Sequence, residues 1–491
     1  MLEKLAKQTA VYGISTIAVR FLSYLLTPYY TRIFGAETYG IITDVYALIP
    51  FALVLLSLGM ESSYFRFAAK AEAEEKEPQA VRERKRRLFA TCWGASFYAA
   101  LLFFAAVILF LGSVTRWMGP AYELHPDYVV LVAFIVLFDV WAIIPFSRLR
   151  EQGRAMTFVG FKALNITVNV GLAFAFGFLG LYSTDFGVGW AFAANLAASV
   201  VTWLVILRTV DGVRPRIDRR LLGKVMVYSL PLLISGIAGT ANEFIDRQMI
   251  KYLVPEGAMA QLGIYGAITK IAVVMVLFTQ MYRLAAEPFF LSNFKKSEFV
   301  EMNAAAMKYY LMASMLIFLG IGLFKEFFAL IIGRDFREGI YILPVVLGAN
   351  VLCGVWLNLS FWYKREERTS LALWVTFTGL LFAVAANVLL VPRWGYYGAA
   401  WARLISEAAM AAVSYGLMRR FFPVPYDLKR MGELVAVGLL CFFAGTLAGE
   451  RTESLALRYG VNSLLLAGYA LYIVKRERID VKGLVRAVLK R

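Results

Sequence analysis

The sequence predicts an all-α polytopic membrane protein with fourteen transmembrane helices, arranged as two pseudo-symmetric six-helix bundles (helices 1–6 and 7–12) plus two C-terminal helices. Three observations lead to this prediction. Hydrophobic residues make up 60% of the 491 residues, whereas soluble domains are about 45–50% apolar. Apolar runs of membrane-spanning length recur along the whole chain, and short motifs of the first half return in the second half at a near-constant distance.

The fourteen helices follow from the lengths of the apolar runs. A helix needs about 20 predominantly apolar residues to cross the hydrocarbon core of a bilayer. The predicted helices lie near residues 5–33, 38–65, 88–112, 127–147, 156–180, 187–207, 225–250, 259–287, 303–324, 338–363, 370–391, 396–418, 431–449 and 458–474. Prolines inside some of these runs are compatible with membrane helices, because neighbouring helices or water can satisfy the freed backbone groups.

Lys and Arg residues are distributed unevenly over the connections, which predicts the orientation in the membrane. The N-terminus, the connections that follow each even-numbered helix and the C-terminal tail hold 38 Lys and Arg residues, and the remaining connections hold 8. This bias predicts that both termini face the cytoplasm. It also accounts for the net charge of +17 as a feature of topology, so no nucleic-acid partner is expected.

The residues that usually bind metals or carry out covalent chemistry are sparse. The three cysteines, Cys92, Cys353 and Cys441, lie far apart in apolar segments, and His125 is the single histidine. Their spacing fits neither a disulfide framework nor a metal site. We therefore expect no metal, no cofactor and no enzymatic activity.

An internal repeat relates the two halves. The stretch PFSRLREQGRAMTF at 145–158 returns as SFWYKREERTSLAL at 360–373. The corresponding residues, 215 to 223 positions apart, are Arg150 and Arg365, Glu151 and Glu366, Asn169 and Asn387, and Gly40 and Gly263. Since each half holds an even number of helices, the repeats are parallel. Transporters built in this way bind near the membrane midplane between the halves and alternate access by rocking.

The repeat sets the predicted domain boundaries. We predict an N-terminal six-helix lobe at 1–212, a C-terminal six-helix lobe at 213–422, helices 13 and 14 at 423–475 and a basic cytoplasmic tail at 476–491. The tail sequence ERIDVKGLVRAVLKR places apolar and basic residues on opposite helical faces. This pattern is typical of a short helix at the membrane interface. A frayed tail is the alternative.

The first helix and its exit carry a family resemblance. The stretch VRFLSYLLTPYYTRIFGAETYGI at 19–41 pairs an Arg with a mid-helix Pro and ends in a short Gly-containing turn before Tyr-Gly. It resembles the opening signature of Wzx-type polysaccharide or O-antigen flippases, which belong to the MOP (multidrug/oligosaccharidyl-lipid/polysaccharide) superfamily. The Arg-Glu pairs before helices 5 and 11, the Gly-rich turns before helices 6 and 12 and the 6+6+2 layout are similar too.

The resemblance implies a function. It implies a transporter that flips a polyprenyl-diphosphate-linked oligosaccharide from the cytoplasmic to the outer leaflet, for surface polysaccharide biosynthesis. The expected location is the plasma (inner) membrane of a bacterium. The expected partners are the lipid-linked oligosaccharide and the phospholipid bilayer, with a polysaccharide polymerase and glycosyltransferases as candidate protein partners.

Two other functions stay open at this point. A MATE-like cation or drug antiporter has the same fold, but its cargo calls for acids in the central cavity, and the charge in the middle of the first helix is Arg20. A membrane enzyme that polymerises or ligates lipid-linked sugars typically needs large outward loops or paired acids there. All the outward loops predicted here are short.

Arg20 is the charge that most needs an explanation, because an Arg at the centre of a span costs about 2.5–3.5 kcal/mol on insertion scales. Residues on the same face of the first helix are small or polar, namely Thr9, Gly13, Thr16, Tyr24, Thr27 and Thr31. This polar stripe predicts either a water-filled cavity or a seam between helices, in which Arg20 pairs with Asp44 or Asp139.

Other charged and polar residues inside the predicted helices complete the candidate site. The candidate substrate-binding cations are Arg20, Lys162, Arg247, Lys270 and Arg403. The candidate cavity or ion-coupling residues are Tyr24, Asp44, Asp139, Asn165, Asn169, Glu243, Asp246 and Glu407. Cations, and guanidinium groups above all, suit a lipid diphosphate, because guanidinium matches phosphate oxygens in a bidentate manner and stays charged when desolvated. The acids either couple transport to an ion or only balance charge.

Several of these residues also have a simple structural interpretation. Glu243 and Arg247, like Arg403 and Glu407, are four positions apart, the spacing of an intrahelical ion pair. Lys162 lies near the predicted cytoplasmic entrance, where it receives a headgroup or extends its ammonium toward water.

Overall fold

The computed structural model describes residues 24–293, 298–366, 368, 370–452 and 454–478. All regular secondary structure in these residues is helical. The chain divides into two compact units, Met1–Gly266 and Ala267–Arg491. The division lies inside a helix and after the predicted lobe boundary at 212, which rests on the sequence repeat alone.

Among its described residues, 24–266, the N-terminal unit has eleven α-helices, the last of which crosses the unit boundary. They are α1 Leu26–Ile33, α2 Ala36–Ser57, α3 Met60–Glu74, α4 Pro78–Leu109, α5 Leu111–Met118, α6 Pro120–Leu124, α7 Pro126–Glu151, α8 Ala155–Phe178, α9 Gly189–Ile206, α10 Arg219–Leu253 and α11 Ala258–Ile271. Short 3-10 turns follow α8 and α9, at Leu181–Ser183 and Leu207–Thr209.

The C-terminal unit continues with nine α-helices among the described residues. They are α12 Val273–Asn293, α13 Phe299–Gly322, α14 Lys325–Ala329, α15 Leu343–Leu359, α16 Phe361–Arg365, α17 Ser370–Trp394, α18 Tyr396–Phe421, α19 Leu428–Glu450 and α20 Leu455–Arg476. A 3-10 segment, Arg334–Ile342, leads into α15.

The membrane-spanning character predicted from sequence is confirmed. Among the described residues, 11 helices are long and apolar enough to cross a membrane, or 12 if α11 and α12, which meet at an angle of 49°, form one span. That bent pair covers the predicted helix at 259–287, and α18 covers the predicted helix at 396–418. Of the predicted helix at 5–33, only the end from residue 24 onward lies within the described residues, and the predicted interfacial tail helix falls almost entirely outside them.

The second predicted helix, 38–65, lies within one candidate span, Ala36–Glu74, which two residues interrupt. Leu58 and Gly59 both have left-handed backbone conformations, with φ of 53° and 67°. Glycine adopts this conformation without steric cost, whereas a leucine rarely does. The break separates α2 from α3, so that α3 leaves the apolar run and carries the polar residues of the connection that follows.

The connections rich in Lys and Arg meet at one end of the N-terminal unit. Arg148, at the end of α7, donates to Asp211 in the connection after α9, with 2.8 Å between Nη2 and Oδ2. Lys85, in the first turns of α4, contacts Glu151 at the end of α7, with 2.5 Å between Nζ and Oε1. Three connections that the charge bias places on one side of the membrane are therefore neighbours in space. We call this the basic end of the unit.

The sparsely charged connections meet at the other end. The hydroxyl of Tyr252, at the end of α10, donates to the carbonyl of Trp117 in α5, at 3.1 Å. The hydroxyl of Tyr128, at the start of α7, donates to the carbonyl of Phe186 in the connection after α8, at 2.9 Å. The alternation of connections predicted from their charges is thus present in the N-terminal unit.

The helices α2 and α11 cross with their backbones in close contact. A Cβ atom on Gly40 would collide with the carbonyl group of Met259, and one on Gly263 would collide with the carbonyl group of Ala36. Small residues allow membrane helices to approach closely, which is the usual source of packing energy between them. The crossing lies near the start of both helices, away from the basic end.

A corresponding ion cluster orders the C-terminal unit. The carboxylate of Glu477, directly after α20, contacts Lys308 of α13 and Arg430 of α19, each at 2.5 Å. The side chain of Glu477 is only 4% exposed. The charge bias predicts these three positions on the same side of the membrane, and they are close together.

Candidate functional site

A polar cavity of about 260 Å³ lies within the N-terminal unit and holds three of the predicted site residues. Helices α2, α3, α7, α8 and α9 surround it. Its walls are formed by Leu53, Glu61, Asp139, Ala142, Ile143, Phe146, Arg150, Phe158, Lys162, Asn165, Ser199 and Thr202. Asp139, Lys162 and Asn165, which the sequence analysis selects separately, thus line one cavity.

Asp139 lies about halfway along α7, roughly 20 Å from its start at 1.5 Å per residue. The positive charge of Lys162 attracts its carboxyl group. The side chain is partly exposed to the cavity. A carboxylate at this depth is costly unless a cation compensates for its lost hydration, as Lys162 does here.

Lys162 extends into the same cavity from α8. Its ammonium nitrogen lies 4.2 Å from the centre of the Phe146 ring, a cation–π distance. Because α8 begins at the basic end, Lys162 lies roughly 10 Å into the helix at 1.5 Å per residue. The ammonium group therefore faces both an acid and an aromatic ring at intermediate depth.

Amide and hydroxyl groups also line the cavity. Asn165 donates to the hydroxyl of Thr202 at 2.9 Å, and that hydroxyl donates in turn to the carbonyl of Ala198 at 2.7 Å. Asn169, one turn further along α8, does not line the cavity, and its buried Oδ1 atom has no hydrogen-bond partner among the described residues.

The end of the cavity nearest the basic end carries an ion pair. Arg150 donates to Glu61 of α3, with 2.5 Å between Nη1 and Oε1, and both side chains are more than 40% exposed. Sequence reasoning missed Glu61, Ser199 and Thr202 as cavity residues. Serine and threonine gave no signal, because in membrane helices they commonly bond to their own helix backbone.

The arrangement can bind a polar ligand that carries anionic and hydroxyl groups. Lys162 and Arg150 supply positive charge, whereas Asn165 and Thr202 supply hydrogen-bonding groups. Asp139 and Glu61 partly neutralise the two cations, so the affinity for an anion stays moderate. A moderate affinity suits a site that must release its ligand.

Asp44, a predicted cavity acid, instead belongs to a fully bonded network at the end opposite to the basic end. Its carboxylate contacts Lys251 at 2.5 Å and accepts hydrogen bonds from Gln248 at 2.8 Å and Tyr122 at 2.7 Å. The carboxylate is completely buried, and the Lys251 side chain is 6% exposed. Burial, and then the negative charge of Asp44, raise the pKa of Tyr122 well above its usual value, so the phenol remains a donor.

Asp246 and Arg247 lie near each other on α10 but face different groups. The hydroxyl of Tyr265 donates to Asp246 at 3.1 Å, and Asp246 is buried. Arg247 is close enough to Tyr39 of α2 to act on it electrostatically. The side chain of Glu243 lies outside the described residues, so its predicted pairing with Arg247 stays a prediction.

Tyr24, Lys270, Arg403 and Glu407 are not among the residues that line this cavity. Lys270 and Arg403 belong to the C-terminal unit, as does Glu407, which accepts a hydrogen bond from Trp356 Nε1 at 2.8 Å. Tyr24 is partly buried, and Arg20 lies outside the described residues. The predicted role of Arg20 therefore stays a prediction.

Comparison with known proteins identifies the family. A family described as "Polysaccharide biosynthesis protein" matches residues 5–294, which include the whole polar cavity. The chain belongs to this family. Its fold class, its multi-pass character and its resemblance to polysaccharide flippases are thereby confirmed.

Individual relatives agree with this assignment. The probable low-salt glycan biosynthesis flippase Agl15 of Haloferax volcanii is 22% identical over 242 residues, which are 48% of this chain and 49% of that protein. The match thus spans about half the length of that curated relative.

Solved structures show the fold. The lipid II flippase MurJ, in an inward closed conformation, has a TM-score of 0.76 at 12% identity over 96% of this chain and 100% of that chain. A multidrug resistance MATE family transporter of the MOP superfamily, in an inward-facing conformation, has a TM-score of 0.65 at 17% identity. The match covers 84% of this chain and 94% of that chain. At these identities the likeness concerns the fold alone. The chain has the fold that these two transporters share.

Proposed function

We propose that this protein moves a polyprenyl-diphosphate-linked oligosaccharide from the cytoplasmic to the outer leaflet of a bacterial plasma membrane by alternating access. The observation that carries the proposal is the cavity in which Asp139, Lys162 and Asn165 meet, in a chain of the polysaccharide biosynthesis protein family. The printed names of Agl15 and MurJ, a glycan biosynthesis flippase and a lipid II flippase, support a lipid-linked glycan as cargo.

The chemistry of the cavity fits the polar part of such a cargo. A lipid diphosphate carries about two negative charges, which are costly to move through hydrocarbon without compensating cations. Lys162 supplies a point charge, and Arg150 can exchange its exposed partner Glu61 for a phosphate oxygen. Asn165 and Thr202 can bond to sugar hydroxyl groups, while the polyprenyl chain stays in the bilayer.

The charge bias of the connections supports the proposed direction of transport, because it orients the protein in the membrane. Positively charged connections are retained on the cytoplasmic side, and the polar cavity extends from the basic end to about the middle of α7. We therefore place the basic end, and with it both termini, in the cytoplasm. In this orientation the cavity receives headgroups from the leaflet in which lipid-linked oligosaccharides are assembled.

Reconstitution tests the proposal. Purified protein in proteoliposomes that contain a fluorescent polyprenyl-diphosphate oligosaccharide should make the labelled lipid accessible to a quencher that does not cross the bilayer, faster than protein-free vesicles. Lys162→Gln should slow this exchange about tenfold or more, because it removes the cation at the cavity wall, and Lys162→Arg should retain most of it.

The matched control is Lys76→Gln, which removes an exposed lysine of the connection before α4 and should leave the rate unchanged. A rate equal to that of protein-free vesicles for the unaltered protein would overturn the proposed cargo. If Lys162→Gln transported the lipid at an unaltered rate, the cavity would not lie on the transport path.

A further inference from the structure

A second, larger recess lies at the basic end of the N-terminal unit, outside the polar cavity. It has a volume of about 790 Å³ and lies between the first turns of α4 and the segment that leads into α10. We call it the arginine groove. Its charged lining residues are Arg82, Glu83, Arg86, Arg87, Arg214 and Arg216.

Backbone contacts hold the two walls of the arginine groove together. The amide of Arg216 donates to the carbonyl of Ala90 in α4 at 3.1 Å. A Cβ atom on Gly94 would lie 2.8 Å from the carbonyl oxygen of Arg216, so only glycine leaves room for this approach. The hydroxyl of Tyr98 donates to the carbonyl of Pro215 at 3.4 Å. The positions of Arg214 and Arg216 are therefore fixed by the fold of the backbone and do not depend on their side chains.

The positive charges of the groove are mostly uncompensated. Glu83 pairs with Arg87 at 2.6 Å. The other four arginines form no ion pair with any carboxylate in the described parts of the chain. Guanidinium groups gathered without acids repel one another, and an anion with several oxygens relieves this repulsion by accepting bidentate hydrogen bonds.

The groove opens at the level where the protein changes from polar to apolar. The arginine-rich start of α4 is followed directly by Leu88 and Phe89, which are buried. Tyr98 on α4 and Ile217 beside Arg216 are 45% and 43% exposed. Tyrosines and basic residues at such a boundary are typical of the membrane interface, where the phosphate groups of lipids lie.

We infer that the arginine groove binds the phosphate headgroup of an anionic phospholipid from the cytoplasmic leaflet. The inference rests on the arginine cluster, the backbone contacts that hold it and the charge bias that orients the basic end. It concerns a lipid that stays in its leaflet, so it does not depend on which cargo the transporter moves.

Native mass spectrometry of the full chain tests this site. Protein in a neutral detergent is titrated with phosphatidylglycerol, phosphatidylcholine, inorganic diphosphate or a polyprenyl-diphosphate oligosaccharide. The first phosphatidylglycerol should bind at least about tenfold more tightly than phosphatidylcholine, because each basic residue near an anionic headgroup adds to the attraction. The variant R214Q/R216Q should reduce that preference by about tenfold.

The matched control is R219Q/R220Q, which removes the same charge at the start of α10, next to the groove but outside its lining. The control variant should keep the preference for phosphatidylglycerol over phosphatidylcholine. Melting temperatures in phosphatidylcholine should be equal for both variants and the unaltered protein, since the groove is held by backbone contacts.

The remaining outcomes each contradict the inference. If both double variants lost the preference for phosphatidylglycerol equally, diffuse surface charge and not the groove would attract the lipid. Displacement of phosphatidylglycerol by millimolar diphosphate would identify a site for a free anion in solution. A preference for the polyprenyl-diphosphate oligosaccharide over phosphatidylglycerol, lost in R214Q/R216Q, would assign the groove to the cargo.

Discussion

Gly263 and Gly40, which occupy corresponding positions of the sequence repeat, touch each other where α2 crosses α11. A Cβ atom on Gly263 would lie 3.0 Å from the backbone nitrogen of Gly40. Three positions further along each helix, Thr43 and Gly266, also 223 residues apart, pack against one another. Contacts between equivalent residues arise where a local two-fold axis passes between two helices. One residue pair that the sequence repeat matches is therefore in direct contact in the structure.

We predict that larger residues at this crossing destabilise the protein. Gly40→Val or Gly263→Val should each lower the free energy of unfolding by about 1–3 kcal/mol, because the new methyl groups collide with the backbone of the facing helix. A fall in melting temperature of the purified protein measures the effect. Gly239→Val is the control, since nothing lies within 4 Å of its Cβ position. Equal melting temperatures for all three variants would mean that the two helices are not in contact.

The network around Asp44 gives a second prediction. Asp44→Asn should cost about 3–5 kcal/mol, because it leaves the buried ammonium group of Lys251 without an opposite charge. The double variant Asp44→Leu/Lys251→Met should cost less than Asp44→Asn, since no buried charge remains. Glu74→Gln, which breaks the exposed pairs with Lys70 and Arg84, should cost at most about 1 kcal/mol. Thermal unfolding of the three variants and the unaltered protein checks this order.

The coupling between Asp139 and Lys162 gives a third prediction. If the carboxylate mainly balances the lysine, Asp139→Asn and Lys162→Gln should each destabilise the protein, and the double variant should be more stable than the sum of the single effects predicts by about 0.5 kcal/mol or more. A double-mutant cycle of melting temperatures measures this. Strictly additive effects on stability would mean that Asp139 and Lys162 do not interact energetically, which would contradict the prediction. Transport driven by a proton gradient that Asp139→Asn abolishes would assign the acid to ion coupling.

A fourth prediction concerns Glu477. Its carboxylate is the common partner of Lys308 and Arg430, so Glu477→Gln should destabilise the C-terminal unit by roughly 2 kcal/mol, the usual range for hydrogen bonds to charged groups. Glu433→Gln, whose partner Arg476 is 51% exposed, should have a smaller effect. Limited proteolysis near α20 provides an independent measurement. Equal resistance of both variants would contradict the prediction.

The spans and their alternation could be predicted from the sequence because they depend on local properties. The length and hydropathy of a run fix a membrane helix, and the Lys and Arg residues of its flanks fix its direction. The break at Leu58 and Gly59 could not be predicted, since the apolar run continues through it and a lone glycine is compatible with a continuous helix.

Part of the polar cavity could be predicted for a similar reason. Lys162 and Asn165 lie on one face of one helix, and Asp139 is conspicuous as an acid within a span. The partner of Asp44 could not be predicted, because Lys251 is 207 positions away and lies just outside the predicted helix at 225–250. Long-range pairing depends on how the helices pack, which hydropathy does not encode.

The side chain of Thr43 fills the space that a side chain at position 266 would need, so the two copies of the repeat compete for the same volume. One copy fills it with a hydroxyl side chain, which bonds to the carbonyl of Tyr39, and the other copy leaves it empty. A larger side chain at either position requires a smaller one at the other. Mutations at these two sites are therefore coupled across the repeat, even though 223 positions separate them. The exchange Thr43→Gly with Gly266→Thr would keep the sum of their volumes, and each change alone would not.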